Sequence, residues 1–313
     1  MPLSLSRPYR KPARLAAALL LTLSSCSTIS SVRQSLFGGG AAEGQAGHVT
    51  GFLGGAVADE PTAALLGRDV LSRGGNAADA ATAMGFMLAV TMPSRAGLGA
   101  SGGCLAYNPK VEGPGFGAPE SIAFTGQPNQ GGDRPSAVPM LARGLFALHA
   151  KYGHLPFESL VTPAEQSARF GATISRAFNR DLQLVSGPLL ADPNARAIFA
   201  PGGRLVTEGS EFTQPDLGAT LAQIRTAGVG DLYQGALAQR LANASVLAGG
   251  PVNAGALRAS LPSVTAPAPV RSGDDSVAFL PTDGGAAAAD FANGQPGPAP
   301  GEFPASTSFI AVD

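Results

Sequence analysis

From Ala77 to Val90 nearly every position is apolar or small, on all sides of a 3.6-residue turn, which predicts a helix enclosed by other protein rather than a surface helix with one apolar stripe. Gly74-Gly75 precede it and end an earlier helix over 61–73. Asn76 is placed to cap the buried helix, with Asp79 three residues on, where a carboxylate meets unpaired N–H groups and the positive end of the helix dipole. Other blocks bounded by Gly or Pro predict helices at 139–152, 157–170, 175–186, 215–227 and 230–247. Short apolar runs at Cys104–Asn108 and Ser121–Phe124 predict strands, as do Pro262–Val270 and Ser276–Leu280, with Asp274-Asp275 in a hairpin turn. A Pro- and Gly-rich linker follows from Gly294 to Pro304. The last eight residues, Ser306 to Asp313, alternate in part and are rich in β formers, so they predict a strand.

The amino terminus reads as an address. Arg7, Arg10, Lys11 and Arg14 precede an apolar run from Leu15 to Leu23 that is too short to span a bilayer, which predicts an export signal over 1–25. Leu23-Ser24-Ser25-Cys26 resembles the lipobox of bacterial lipoproteins, whose Cys is lipidated. Ordinary signal cleavage beside a chance Cys is the alternative. Residues 26–50, with Gly38-Gly39-Gly40, predict a tether, and the fold is expected to occupy 51–305. The expected location is therefore the bacterial periplasm or cell envelope, with a lipid anchor as the link to membrane. Asn243-Ala244-Ser245 fits a glycosylation acceptor, which a bacterial leader makes irrelevant.

Charge narrows the chemistry. A net charge of −1 with 14% charged residues leaves no electrostatic footprint for nucleic acid or for an anionic membrane surface. With two Cys and three His (His48, His149 and His154), no cluster has metal-site spacing, and neither metal nor cofactor is implied. Only Cys104 would remain after lipidation of Cys26, so no internal disulfide is expected.

Ala58-Asp59-Glu60-Pro61, the Gly-Gly-Asn-Ala-Ala-Asp stretch from Gly74, Pro93, the Gly-rich run Gly97 to Cys104, Val138-Pro139, Gly144-Leu145, Tyr152-Gly153, Leu155-Pro156, Pro163-Ala164 and Gln214-Pro215-Asp216-Leu217 together resemble the gamma-glutamyltranspeptidase family. The resemblance covers about 55–250 and the last eight residues. It implies an α+β fold of the layered αββα N-terminal nucleophile hydrolase type, here mainly the helical large-subunit part with a few strands and an incomplete central sheet. It also implies a γ-glutamyl small-molecule substrate such as glutathione, and a precursor that cuts itself in front of a Thr that begins a strand. The freed α-amine, with a reference pKa of about 8, then serves the hydroxyl as base.

Aligned on the terminal Asp313, the family pattern puts Ser306 in the nucleophile position, and a slip of one residue puts Thr307 there. Two departures bear on activity. The family grips the donor's α-carboxylate with an Arg, a task suited to a bidentate guanidinium, yet Ile122 to Pro128 contains none. Arg134 is the nearest candidate to deputise. The family's small subunit also runs far beyond the nucleophile strand and supplies the oxyanion hole and most of the sheet. This chain alone is therefore expected to be incomplete, without turnover or self-cleavage, and to lack a C-terminal catalytic partner.

Two other classes compete. A non-catalytic, lipid-anchored envelope protein on the same scaffold is favoured by the missing Arg and by Ser in place of Thr. A serine hydrolase would use Ser101 in Gly99-Ala100-Ser101-Gly102-Gly103, with Asp133 and His149 or His154, but its elbow needs a strand before the Ser and a helix after it. Gly97, Gly99 and Gly102 also match a dinucleotide-binding spacing whose flanks run in the wrong order.

Overall fold

The computed structural model describes residues 54–108, 118–129, 131–134, 136–267, 269–272, 274–292 and 306–313. The leader, Cys26, the tether and the 294–304 linker lie outside the described residues.

Strand β1 (Gly55–Ala58) enters helix α1 (Pro61–Ser72) through Glu60, whose buried carboxylate accepts the Ala63 N–H at 2.9 Å, with Pro61 as the first helical residue. Gly74, at φ +87°, closes α1 in a conformation that favours glycine. Helix α2 (Ala77–Thr91) follows, and 12 of its 15 residues are buried, so the enclosed helix read from composition is the centre of the core. The Asn76–Asp79 capping box forms as expected, each side chain accepting from the other's backbone N–H.

Around α2 pack α1, α4 (Leu141–Tyr152) and α5 (Phe157–Phe170), with the short α3 (Pro93–Ala96) continuing from its C-terminus. The α2–α4 contact is close because Gly85 has no side chain: a Cβ there would lie 2.6 Å from Leu145 Cδ1. Strands β2 (Gly102–Ala106) and β3 (Glu120–Phe124) pair antiparallel and continue to β8 (Ser263–Thr265). Two short ladders, β4 (Pro128–Asn129) with β5 (Ser136–Ala137) and β6 (Ala172–Thr173) with β7 (Glu211–Phe212), punctuate the helices.

Helices α6 (Arg176–Leu189), α7 (Pro193–Phe199), α8 (Pro215–Ala227), α9 (Asp231–Gln234), α10 (Ala236–Leu247), α11 (Ala254–Ala259) and α12 (Asp283–Ala292) complete the helical layer. The single helix expected over 230–247 is two: the Asp231 carboxylate accepts from the N–H groups of Ala236 and Leu237 at 2.9 and 3.0 Å, which starts a new helix after Gly235. The strand expected over 262–270 is likewise two separate pieces, β8 and β9 (Val270–Ser272), and β9 turns at Asp274 into β10 (Asp275–Val277).

The last strand, β11 (Phe309–Val312), pairs antiparallel with β1, with Val57 opposite Ile310 and Ala58 opposite Phe309. Its period-2 alternation holds. Ala56, Ala58, Phe309 and Ala311 face the cluster around α1 and α2, while Val57, Ile310 and Val312 face outward at 66, 63 and 52% exposure. Every described sheet is antiparallel.

Candidate active site

The register of β11 on β1 decides where the chain's hydroxyl residues go. With Ala58 opposite Phe309, the residues just outside the ladder, Asp59 on one side and Thr307-Ser308 on the other, face each other. Thr307 Oγ1 donates to Asp59 Oδ2 at 2.9 Å, and the Ser308 N–H points to the same oxygen at 3.4 Å. Thr307 is half-buried and Ser306 exposed. The described residues offer the Ser306 hydroxyl no hydrogen-bond partner.

Arg95 approaches the same segment from α3. Its Nε and Nη2 form a two-pronged contact with Asp181 of α6 at 2.7 and 2.8 Å, and Ser94 Oγ donates to Asp181 Oδ2 at 2.7 Å. That fork fixes the guanidinium plane, and the remaining nitrogen, Nη1, donates to the Ser306 carbonyl oxygen at 3.3 Å. Hydrogen bonding to Arg95 holds the Asp181 carboxyl below its ordinary range, and the same bond raises the guanidinium further above neutrality. Asp181 is only 13% exposed, so Arg95 is held by a partner largely screened from water.

A groove of about 690 Å³ borders this segment through Asp59. Thr173, Ser175, Arg176, Arg180 and Glu208 line it, with Arg176 3.3 Å from Glu208.

The other sequence candidates lie elsewhere. Arg134 is exposed beside the β4–β5 turn, where its backbone N–H donates to Gly249 O at 2.9 Å. Ser101 precedes a strand and follows the α3 turn, the reverse of a nucleophile elbow, and its Oγ accepts from the Gly126 N–H at 2.8 Å. His149 Nε2 is 2.8 Å from Leu155 O and 3.7 Å from Asp79, within the junction that holds α2 against the α4–α5 turn. A Ser101-based triad with His149 is therefore not assembled, and the strand before Ser101 that it requires is replaced by a helix. The glycines at 97, 99 and 102 lead into β2 and not into a helix, so the dinucleotide spacing fails as well. Burial pushes the Cys104 thiol up to about 12, which keeps it protonated and a poor nucleophile at neutral pH. No group of three or more His, Cys, Asp or Glu that could hold a metal occurs among the described residues, and none of the described helices is long and apolar enough to cross a membrane.

In the sequence Asp59 stands out only as part of the Ala58–Pro61 stretch, and Arg95 and Asp181 bear no motif. The one local sign was an Arg between Pro93 and Gly97 at the mouth of the Gly-rich run.

The helical layer with its antiparallel strands superposes on solved N-terminal nucleophile hydrolases, which places the chain in that fold class. The chain belongs to the gamma-glutamyltranspeptidase family, whose model matches residues 63–292. It is 30% identical over 199 residues to the glutathione hydrolase proenzyme of Escherichia coli, covering 58% of this chain and 34% of that protein. To the glutathione hydrolase of Aspergillus flavus it is 33% identical over 196 residues, covering 60% of this chain and 33% of the relative. Among solved structures, the Helicobacter pylori gamma-glutamyltranspeptidase superposes with a TM-score of 0.70 at 25% identity, covering 77% of this chain and 74% of that one. The Bacillus anthracis transpeptidase CapD gives 0.63 at 25%, covering 72 and 75%. The matched part of the chain spans about a third of the length of the curated relatives.

Proposed function

We propose that this chain is the large-subunit portion of an acyl transferase that hydrolyses or transfers γ-glutamyl groups, as from glutathione, through an acyl-enzyme on the Ser306–Thr307 segment. The observation that carries the reading is the β1–β11 pairing, which brings that segment to Asp59 and Arg95 at the edge of an open groove. A neutral hydroxyl is a weak nucleophile until a base takes its proton, and an α-amine released at the same residue is such a base. The donor would lie in the groove, where Arg180 and Arg176 offer the cationic partner for a carboxylate that Ile122 to Pro128 does not provide.

In this reading the outward face of Val57, Ile310 and Val312 is where further strands of a C-terminal catalytic subunit would pack, and the chain alone does not turn over. The export signal and Cys26 would place the protein at the cell envelope on a lipid anchor. The test is release of p-nitroaniline from γ-glutamyl-p-nitroanilide by the protein made from its own reading frame, with any polypeptide that follows Asp313. Activity there, lost on truncation after Asp313, supports the reading. An inactive protein supports the non-catalytic envelope scaffold instead.

A further inference from the structure

We propose that Arg95, Asp181 and the buried pair Glu60–Thr91 are positioning residues for the acyl-carrying segment, and that together they fix where the backbone of Ser306, Thr307 and Ser308 lies beside the groove. The inference rests on the acyl-transferase reading above. It serves either hydroxyl, because the holding contacts are made to the backbone before and after Thr307 as well as to its side chain. Arg95 Nη1 donates to the Ser306 carbonyl oxygen at 3.3 Å, and the Asp59 carboxylate accepts from Thr307 Oγ1 at 2.9 Å and faces the Ser308 N–H at 3.4 Å. Arg95 and Asp59 thus grip the two ends of a three-residue stretch.

Each grip is itself held. Asp181 of α6 takes Arg95 Nε and Nη2 in a two-pronged contact and also accepts from Ser94 Oγ, so the guanidinium plane is set independently of Ser306. The charge on Arg95 is stabilised first by its bond to Asp181 and further by Asp59. Glu60, the residue after Asp59, is 1% exposed, and one of its oxygens, Oε2, accepts both the Ala63 N–H and the Thr91 hydroxyl at 2.9 Å. Capping α1 alone needs only a short Ser, Thr or Asp side chain, whereas the longer Glu60 reaches the end of α2 as well. Thr91 is fully buried and ends α2, and Arg95 stands four residues further on. The Glu60–Thr91 bond therefore joins the neighbour of one grip to the helix end that carries the other, and sets the spacing between them. A carboxylate kept out of water is costly unless its bonds are made, so this tie is strict in a way that an exposed contact is not. Such control matters because acyl transfer needs the nucleophile held at near-attack geometry, where a displacement of about 1 Å can cost about 10²-fold in rate.

The test is hydrogen–deuterium exchange of the 313-residue chain, read by mass spectrometry on the peptide covering 306–313, with the peptide covering α5 as internal reference. Arg95→Ala, and Arg95→Lys, which keeps the charge but loses the fork, should each speed exchange at 306–313 about tenfold, the scale of one hydrogen bond to a charged group, and leave α5 at the parent rate. Thr91→Val should speed it about threefold, and Glu60→Gln, whose amide oxygen can take both donors, should stay within about twofold of the parent. In the protein made from its own reading frame, the Arg95 variants should lower kcat about tenfold and leave KM within about twofold. Unchanged exchange at 306–313 in both Arg95 variants would overturn the proposal, and so would equally faster exchange at α5, which marks general loosening. Parent-like protection in Arg95→Lys would overturn the role given to the fork, and a loss confined to KM would overturn the role in positioning. The exchange results do not depend on turnover, so an inactive parent protein would count against the acyl-transferase reading and leave the assignment of these contacts standing.

Discussion

The N-terminus of α2 and the β1–β11 ribbon are built to opposite specifications. At the first, Asp79 is fully buried and its carboxylate accepts from the N–H groups of Asn76, His154 and Leu155 at 3.0 to 3.3 Å, while Asn76 Nδ2 donates to Tyr152 O at 2.6 Å. One carboxylate thus joins two stretches of chain about 75 residues apart, and each polar group finds its partner inside. At the ribbon only the inner face is covered, and three large aliphatic side chains stand in solvent. The difference separates what holds the scaffold from what presents the reactive segment. The core is closed on itself, and the strand that the Ser306–Thr307 segment leads into lies at its edge, paired among the described residues with β1 alone.

If that contrast is right, mutations of similar size should have very different costs. Asp79→Ala removes the shared acceptor of three backbone donors in a place water does not reach, and should destabilise the fold by about 3 kcal/mol or more in urea unfolding. A loss under about 1 kcal/mol would mean that the junction is not the clamp described.

The Arg95–Asp181 seam lies beside the entrance to the ribbon. The folded-state pKa of Asp181 is depressed by Arg95, so its contribution to stability is present above the ordinary carboxylate range and is lost as pH falls through the folded value. The pair is part exposed, so the effect is expected to stay under about 1 kcal/mol. Asp181→Asn should lower stability at neutral pH by up to that amount and converge with the parent below about pH 4, which flattens the acid limb of the pH–stability curve. An acid limb identical to that of the parent would show that Arg95 is not held this way.

The smallest effect belongs to the ribbon. Ile310→Thr on the outward face should change stability by no more than about 0.5 kcal/mol and reduce self-association in light scattering. A loss as large as that at Asp79 would show the face to be covered.

The two regions were also unequally legible in the sequence. The cap at Asn76 and Asp79 is local chemistry, three residues apart, and the helices at 157–170 and 215–227 are announced by their own Pro and Gly boundaries, so these came through at the expected positions. Strand β1 is not legible locally, since Gly-Ala-Val-Ala has no strand signal of its own. It becomes a strand by pairing with a segment about 250 residues later. Arg95 was equally invisible: its partners Asp181 and Ser306 are 86 and 211 residues away, and no local pattern records them. The break at Gly235 escaped for a subtler reason, since a carboxylate at Asp231 can extend one helix or start the next, and hydrogen bonds to Ala236 and Leu237 chose the second.

The central claim is that a hydroxyl at the entrance to β11 carries the acyl group. Peptide mapping by mass spectrometry of the acyl-enzyme, trapped by acid quench during turnover of glutathione by the protein made from its own reading frame, tests it directly. The account predicts a γ-glutamyl mass on a peptide that begins with Ser306 or Thr307. The same mass on the peptide containing Ser101, or no adduct from an enzyme that is turning over, would contradict it.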